Sequence, residues 1–187
     1  MIKAIITDFD GTVADTFEAN YQSYRDVFVS EGLTLGREQY RECYGLRFDS
    51  FMERMGISDA DMRERIRHGK AERYPNHFDL VKPNKIIIRL IERSKESGVA
   101  TAIASTARRE NLERALQYLG IEGLFDVVVA GEAVRKGKPD PEIYQTCMSL
   151  LGVSPEETLI FEDSETGLAA AERSGAAYLK ITQNFFE

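Results

Sequence analysis

Five short apolar runs constrain the fold of this chain more than any other feature. Their apolar residues are nearly continuous rather than alternating with polar ones, which is typical of parallel strands buried on both faces. Helical patterns separate most of them, so the connections are predicted βαβ crossovers in an open, doubly wound α/β sheet. The five predicted strands are AIITDF (4–9), VATAIAS (99–105), DVVVAG (126–131), TLIFED (158–163) and AAYLKIT (176–182).

Residues 16–82 interrupt this alternation. They contain no convincing strand but several helical patterns, and they are far longer than the dozen or so residues that a crossover between parallel strands needs. We predict an α/β core of residues 1–15 and 83–187 and an inserted small helical cap of residues 16–82. An aromatic stripe at helical spacing is expected to form the cap's own core: Phe17, Tyr21, Tyr24 and Phe28.

Local signals predict several helix boundaries in the core. Gly120 and Gly152 follow helical patterns and predict C-terminal ends. Asp140 predicts an N-cap with Pro141 at the first helical position. The segment SPEE (154–157) matches a capping box with Pro at its first helical position.

Composition excludes several classes of protein. The formal net charge of −7 gives no general attraction to nucleic acids or anionic membranes. Cys43 and Cys147 are far apart and lack metal-binding spacing, which predicts free thiols in a reducing compartment. The N-terminus has no signal-like apolar region, and no apolar run approaches the ~20 residues of a membrane span. We expect a cytoplasmic protein, a monomer or weak dimer, with no nucleic acid or membrane partner.

Polar residues occur where the predicted strands end. In an open parallel sheet, ligands bind beyond the carboxyl ends of the strands, so these residues are expected to converge on one rim. Four clustered carboxylates repel one another unless a cation joins them, and oxygen ligands of this kind suit Mg²⁺. In chain order the rim residues are Asp8, Asp10, Ser105, Thr106, Lys138, Glu162 and Asp163.

Two neighbouring features indicate a phosphate at the same rim. Gly11 permits close approach of backbone N–H groups to an anion. The start of the helix that follows Ser105 and Thr106 adds further N–H donors. Lys136 is a rival to Lys138 for the cationic role, and we prefer Lys138 because it immediately precedes Pro139.

The order of motifs resembles the haloacid dehalogenase superfamily of hydrolases. The motifs are DFDGT (8–12), a strand-ending Ser105, GKPDP (137–141) and FEDSETG (161–167). The chain is most similar to the phosphoglycolate phosphatase and β-phosphoglucomutase-like branch, which inserts a small helical cap after the first motif. The resemblance covers essentially the whole chain and implies a Rossmann-like core.

The resemblance implies catalytic roles for four residues. Asp8 is the expected nucleophile, forming an aspartyl-phosphate, and Asp10 the expected general acid and then general base. Ser105 is expected to bind the phosphoryl oxygens, and Lys138 to stabilise the nucleophile and the phosphoryl charge. Such roles suit phosphoryl transfer, which depends mostly on alignment and charge compensation.

The resemblance also implies metal and substrate ligands. Asp8, the backbone carbonyl of Asp10 and Asp163 are expected to hold Mg²⁺, with Glu162 in or near the coordination sphere. The expected substrate-binding residues include one cap residue, Arg47, which suits an anionic leaving group. The full substrate-binding set is Gly11, Thr12, Thr106 and Arg47.

The expected activity is Mg²⁺-dependent hydrolysis of a small phosphorylated metabolite. Dehalogenases and phosphonate-cleaving members of the superfamily lack an acid at the position of Asp10, which argues against both. A β-phosphoglucomutase-like sugar phosphate mutase stays open as an alternative. A phospho-aspartate receiver or binding module is disfavoured, because such domains carry the phosphorylated Asp mid-chain and have no large insertion.

The chain ends at Glu187, soon after the fifth predicted strand. Related proteins usually continue for another strand or helix, which leaves the sheet edge as a candidate contact surface. Phe185 and Phe186 are candidates for packing on the core.

Overall fold

A five-stranded parallel sheet forms the centre of the fold in the computed structural model, which describes residues 1–182. The expectation for Phe185 and Phe186 lies outside this range. The strands are β1 (Ala4–Thr7), β4 (Ala100–Ala104), β5 (Val127–Val129), β6 (Thr158–Glu162) and β7 (Ala177–Lys180). Their order is β5-β4-β1-β6-β7, and every neighbouring pair is parallel. This confirms the predicted doubly wound α/β class.

Both faces of the central strands are buried, as their continuous apolar sequences predict. Ile6 and Ile160 belong to one core cluster. Ile5 and Ile103 are buried as well, and Ile5 faces the other side of the sheet from Ile6, because successive side chains on a strand alternate. Parallel sheets covered on both faces position their ligands at the strand ends.

The helices that connect the strands of this sheet are α5 (Lys85–Glu96), α6 (Arg109–Leu119), α7 (Glu142–Leu151) and α8 (Glu165–Ser174). Gly120 and Gly152 end α6 and α7 in the left-handed conformation that the sequence predicts. The predicted N-cap at Asp140 is wrong by one residue: Pro141 is the N-cap of α7, and Asp140 Oδ1 accepts a hydrogen bond from Glu142 N.

The capping box at Ser154 is present, but it opens only a three-residue 3₁₀ turn, Pro155–Glu157, rather than an α-helix. The turn is short because β6 begins at the next residue, Thr158.

The chain divides into two compact units. One unit comprises Met1–Asp15 and the chain from Lys82 onward, and the other comprises Thr16–Val81. A short antiparallel pair, β2 (Ala14–Asp15) with β3 (Lys82–Pro83), lies where the chain leaves and re-enters the first unit. The sequence did not indicate this pair, because two-residue strands have no detectable periodicity.

The Thr16–Val81 unit is helical in the regions where the sequence predicts helices. The predicted aromatic core is confirmed: Tyr21 and Phe28 are buried in a cluster against which Phe17 and Tyr24 pack. The sequence did not predict two elements of this unit, the short helix Arg37–Arg41 and the 3₁₀ segment Tyr74–Leu80. The α-helices of the unit are α1 (Phe17–Ser30), α2 (Arg37–Arg41), α3 (Phe48–Arg54) and α4 (Ala60–Arg73).

The two cysteines are buried and free, as predicted. None of the helices in residues 1–182 combines the length and apolarity needed to cross a membrane.

Candidate active site

A buried ammonium group joins two carboxylates at the carboxyl end of the sheet. Lys138 Nζ lies 2.5 Å from Asp8 Oδ1 and 2.6 Å from Glu162 Oε2. The three side chains are 4%, 8% and 0% exposed, respectively, so water screens these charges little. Asp8 follows β1, and Glu162 ends β6, which is hydrogen-bonded to β1. The strand-end positions predicted from the sequence thus lie together in space.

Five hydrogen-bond donors surround the Glu162 carboxylate. Oε1 accepts from the backbone N–H of Asp163 and from both the N–H and the hydroxyl of Ser164. Oε2 accepts from Lys138 Nζ and, at 2.5 Å, from the hydroxyl of Tyr144. A carboxylate has about four lone-pair positions for donors, so Glu162 has its acceptor capacity filled by protein groups.

Asp163 is oriented by a different partner. The hydroxyl of the buried Thr12 donates to Asp163 Oδ1 at 3.0 Å. A Cβ atom on Gly11 would lie 2.1 Å from Asp163 Oδ2. Gly11 also has a φ of 98°, which favours glycine. The structure therefore places Gly11 and the Thr12 side chain against Asp163, and the roles of both residues in binding substrate stay predictions.

Asp8, Glu162 and Asp163 form a set of carboxylates suited to a cation. Each can offer one oxygen such that these atoms lie within 4.8 Å of one another. Since Glu162 is saturated by protein donors, Asp8 and Asp163 are better able to contact an ion directly. Three carboxylates and no nitrogen or sulfur ligand is a donor set that fits Mg²⁺ or Ca²⁺.

The Asp10 carboxylate contacts the hydroxyl of Ser105. The Ser105 hydroxyl lies 3.4 Å from Asp10 Oδ2 and accepts from Ala107 N at 3.0 Å. Ser105 is fully buried, and Asp10 is half-buried. These two residues come from the ends of adjacent strands, because β4 pairs with β1.

The burial of so many charges shifts their pKa values. Burial, together with the neighbouring Glu162 carboxylate, raises the pKa of Asp163 to about 7. Burial also raises the pKa of Asp8, against the opposing effect of Lys138. Burial acts to lower the pKa of Lys138, but Asp8, Tyr144 and Glu162 together outweigh it and raise that pKa above its usual value. The site thus favours an additional positive charge beside Asp8 and Asp163.

The loop that carries Lys138 is fixed from several sides. The Glu142 carboxylate accepts from the backbone N–H groups of Arg135 and Lys136, both at 2.9 Å. Arg173 donates to the carbonyl of Pro139 at 2.9 Å. Lys136 itself is exposed and lies 3.6 Å from Asp140, so it is Lys138 that enters the acidic cluster.

Two further residues, Thr106 and Arg47, were predicted to bind substrate. Thr106 is half-buried after β4, where its carbonyl would be only 2.3 Å from a Cβ atom on Gly131. Arg47 belongs to the Thr16–Val81 unit, as the N-cap residue of α3. Their roles in binding substrate stay predictions.

Sequence reasoning missed Tyr144 and Ser164, the two hydroxyl groups that bind Glu162. Tyr144 occupies an apolar position of α7. The sequence pattern there predicts a core residue and does not indicate the contact of its hydroxyl with Glu162. Ser164 is the N-cap of α8, where its oxygen also accepts from Gly167 N. An N-cap signal explains its presence without indicating the second contact.

The chain belongs to the haloacid dehalogenase-like hydrolases. The model of that family matches residues 5–181. Over 181 residues the chain is 35% identical to a phosphorylated carbohydrates phosphatase of Thermotoga maritima, covering 93% of this chain and 82% of the relative. It is also 27% identical to β-phosphoglucomutase of Bacillus subtilis, covering 97% of this chain and 84% of the relative.

A solved structure shows the same fold and confirms the superfamily resemblance. The structure of CbbY from Rhodobacter sphaeroides in complex with phosphate matches with a TM-score of 0.88 and 29% identity. The match covers 100% of this chain and 89% of that chain.

Substituting Gly167 tests how closely α8 approaches Glu162. A Cβ atom there would lie 2.0 Å from Glu162 Cδ, so Gly167→Ala must displace the carboxylate or the helix. We expect the melting temperature to fall by about 3–10 °C, as overpacking costs of 1–3 kcal/mol imply for a chain of this size. Differential scanning calorimetry measures it.

Gly123→Ala is the matched control, because no atom lies within 4 Å of its added Cβ. We expect its melting temperature to stay within about 2 °C of wild type. Equal melting temperatures for wild type and Gly167→Ala would contradict the tight contact between Gly167 and Glu162.

Proposed function

We propose that this chain hydrolyses a small phosphorylated metabolite through an aspartyl-phosphate on Asp8, with Mg²⁺ as cofactor. Family membership and the phosphatase relatives make it a phosphoric monoester hydrolase. The observation that most supports this proposal is the buried contact of Lys138 with Asp8, beside Asp163. Phosphate esters bring negative charge, and a site with one ammonium and room for one cation compensates it.

Asp8 is the proposed nucleophile. One of its oxygens, Oδ1, is held by Lys138, which orients the carboxylate for attack on phosphorus. A carboxylate nucleophile divides hydrolysis into formation and hydrolysis of a covalent intermediate, each with a lower barrier. Lys138 stays beside the same carboxylate and offsets the charge of the phosphoryl group.

Asp10 is the proposed general acid and base. Its half-buried position leaves it accessible to a leaving-group oxygen and later to water. Its contact with the Ser105 hydroxyl supports a shared placement near the phosphoryl oxygens. Ser105 is proposed to donate to those oxygens, with proton transfer assigned to Asp10.

Asp8, Asp163 and the backbone carbonyl of Asp10 are proposed to hold the cation. The cation, when bound, supplies positive charge that orients phosphate oxygens and lowers the cost of charge at phosphorus. Thr12 keeps Asp163 in one orientation. Glu162 is proposed to act through Lys138 rather than as a direct ligand, because five protein donors already occupy its oxygens.

Replacing the nucleophile tests the covalent route. We expect Asp8→Asn to lower turnover of a phosphate monoester by about 10³-fold or more, because the amide is not a nucleophile. With ³²P-labelled substrate and rapid acid quenching, wild type should carry label on the protein and Asp8→Asn none. Scintillation counting of the precipitated protein measures it.

Asp61→Asn, at an exposed position in the first turn of α4, is the control and should keep wild-type turnover. Turnover of Asp8→Asn at the wild-type rate would remove Asp8 from the proposed mechanism.

A mutase activity is the second candidate, supported by the similarity to β-phosphoglucomutase of Bacillus subtilis. Mutases and phosphatases share the aspartyl-phosphate step and differ in whether water or a sugar hydroxyl accepts the phosphoryl group. With a panel of sugar phosphates and Mg²⁺, we expect inorganic phosphate in amounts equal to substrate consumed. ³¹P NMR measures both products, and accumulation of an isomer without inorganic phosphate would favour the mutase.

A further inference from the structure

Tyr144 is buried where its ring alone would suffice for packing. It is 0% exposed, among the largest fully buried side chains of the described residues, and belongs to the core cluster shared by α7, α8 and the sheet. Phenylalanine would fill the same volume without a polar atom. A buried hydroxyl costs free energy unless it is hydrogen-bonded. The hydrogen-bond partner of the Tyr144 hydroxyl therefore indicates why this position has tyrosine rather than phenylalanine.

The hydroxyl of Tyr144 meets the same carboxylate oxygen that Lys138 uses. Tyr144 Oη lies 2.5 Å from Glu162 Oε2, and Lys138 Nζ lies 2.6 Å from that oxygen. The ammonium also lies 5.1 Å from the centroid of the Tyr144 ring. Tyr144 therefore contacts the Lys138–Glu162 pair twice, through its hydroxyl and through its ring face.

We propose that Tyr144 is a positioning residue that acts through Glu162 to keep the Lys138 ammonium on Asp8. The hydroxyl shares Oε2 with the ammonium and so limits how strongly Glu162 attracts it. Without the hydroxyl, Lys138 is the only donor to Oε2 among the described residues, and the ammonium shifts toward Glu162 and away from Asp8. Among the described residues, the Tyr144 hydroxyl donates to Glu162 and not to Asp8, so its effect on the nucleophile is indirect.

The effect belongs to the reaction step rather than to substrate binding. Lys138 contacts the attacking carboxylate, so its displacement raises the barrier to transfer and leaves the leaving-group contacts unchanged. The kinetic consequence rests on the proposed function, but the placement of the ammonium does not. The two are therefore measured separately.

The test is Tyr144→Phe, which removes one oxygen atom. We expect kcat to fall about tenfold and KM to stay within about twofold. We also expect the ¹H–¹⁵N ammonium signal of Lys138 in ¹⁵N-lysine-labelled protein to shift. That signal is assigned by its loss in Lys138→Arg, and the buried Lys70 of the Thr16–Val81 unit serves as the unmoved reference.

Thr158→Val is the matched control. It removes an equally buried hydroxyl, which donates to the Ser154 carbonyl at 2.9 Å. We expect wild-type kcat and an unmoved Lys138 signal, so that loss of a buried hydroxyl in general is separated from loss of this one.

An unmoved Lys138 signal or a wild-type kcat in Tyr144→Phe overturns the proposal. If wild type hydrolyses no phosphate ester, the proposed function fails, and the ammonium signal alone decides the placement. If Tyr144→Phe does not fold, 3-fluorotyrosine at position 144 keeps the hydroxyl but makes it a stronger donor. An unmoved Lys138 signal in that protein overturns the proposal equally.

Discussion

The ammonium of Lys138 is the interaction on which the rest of the site depends. Asp8 and Glu162 are buried side by side, and two ionised carboxylates at such a place repel strongly unless a positive charge lies between them. Lys138 supplies that charge, in contact with both. A buried ion pair of this kind is not in itself a source of stability, which indicates that the arrangement serves the chemistry.

The carboxylates of the rim differ in their hydrogen-bond partners and in their electrostatic environments. Glu162 is enclosed by five donors and is committed to holding Lys138. Asp163 has one hydroxyl donor, from Thr12, and a pKa raised to about 7 by burial and by Glu162. Asp10 contacts the hydroxyl of Ser105. The same chemical group thus has three environments, and each environment suits one of the proposed roles.

Much of this arrangement follows from the sequence because parallel strands end at one rim. Asp8, Glu162 and Lys138 could be predicted to meet once the strands were identified from their apolar runs. The order of the strands could not, since periodicity carries no information about neighbours. The sequence also could not predict that protein donors fill the acceptor positions of the Glu162 carboxylate. This depends on Tyr144 and Ser164, whose sequence patterns indicate only a core position and a helix cap.

Two local features differ from the sequence prediction: the start of α7 and the short β2–β3 pair. Asp140 accepts from the first-turn N–H of Glu142, as a capping side chain does, but Pro141 holds the N-cap position in the backbone. The β2–β3 pair involves only two residues on each strand. It arises from the return of the chain to the first unit rather than from any local pattern.

Calorimetric titration with Mg²⁺ tests the central claim most directly, namely that Asp8 and Asp163 share a cation while Lys138 neutralises Asp8 and Glu162. Wild type should bind one Mg²⁺ per chain. Asp163→Asn should bind at least about tenfold more weakly, while Glu165→Gln, at a position whose side chain is 83% exposed, should bind as wild type does. Equal Mg²⁺ affinity in wild type and Asp163→Asn would contradict the account.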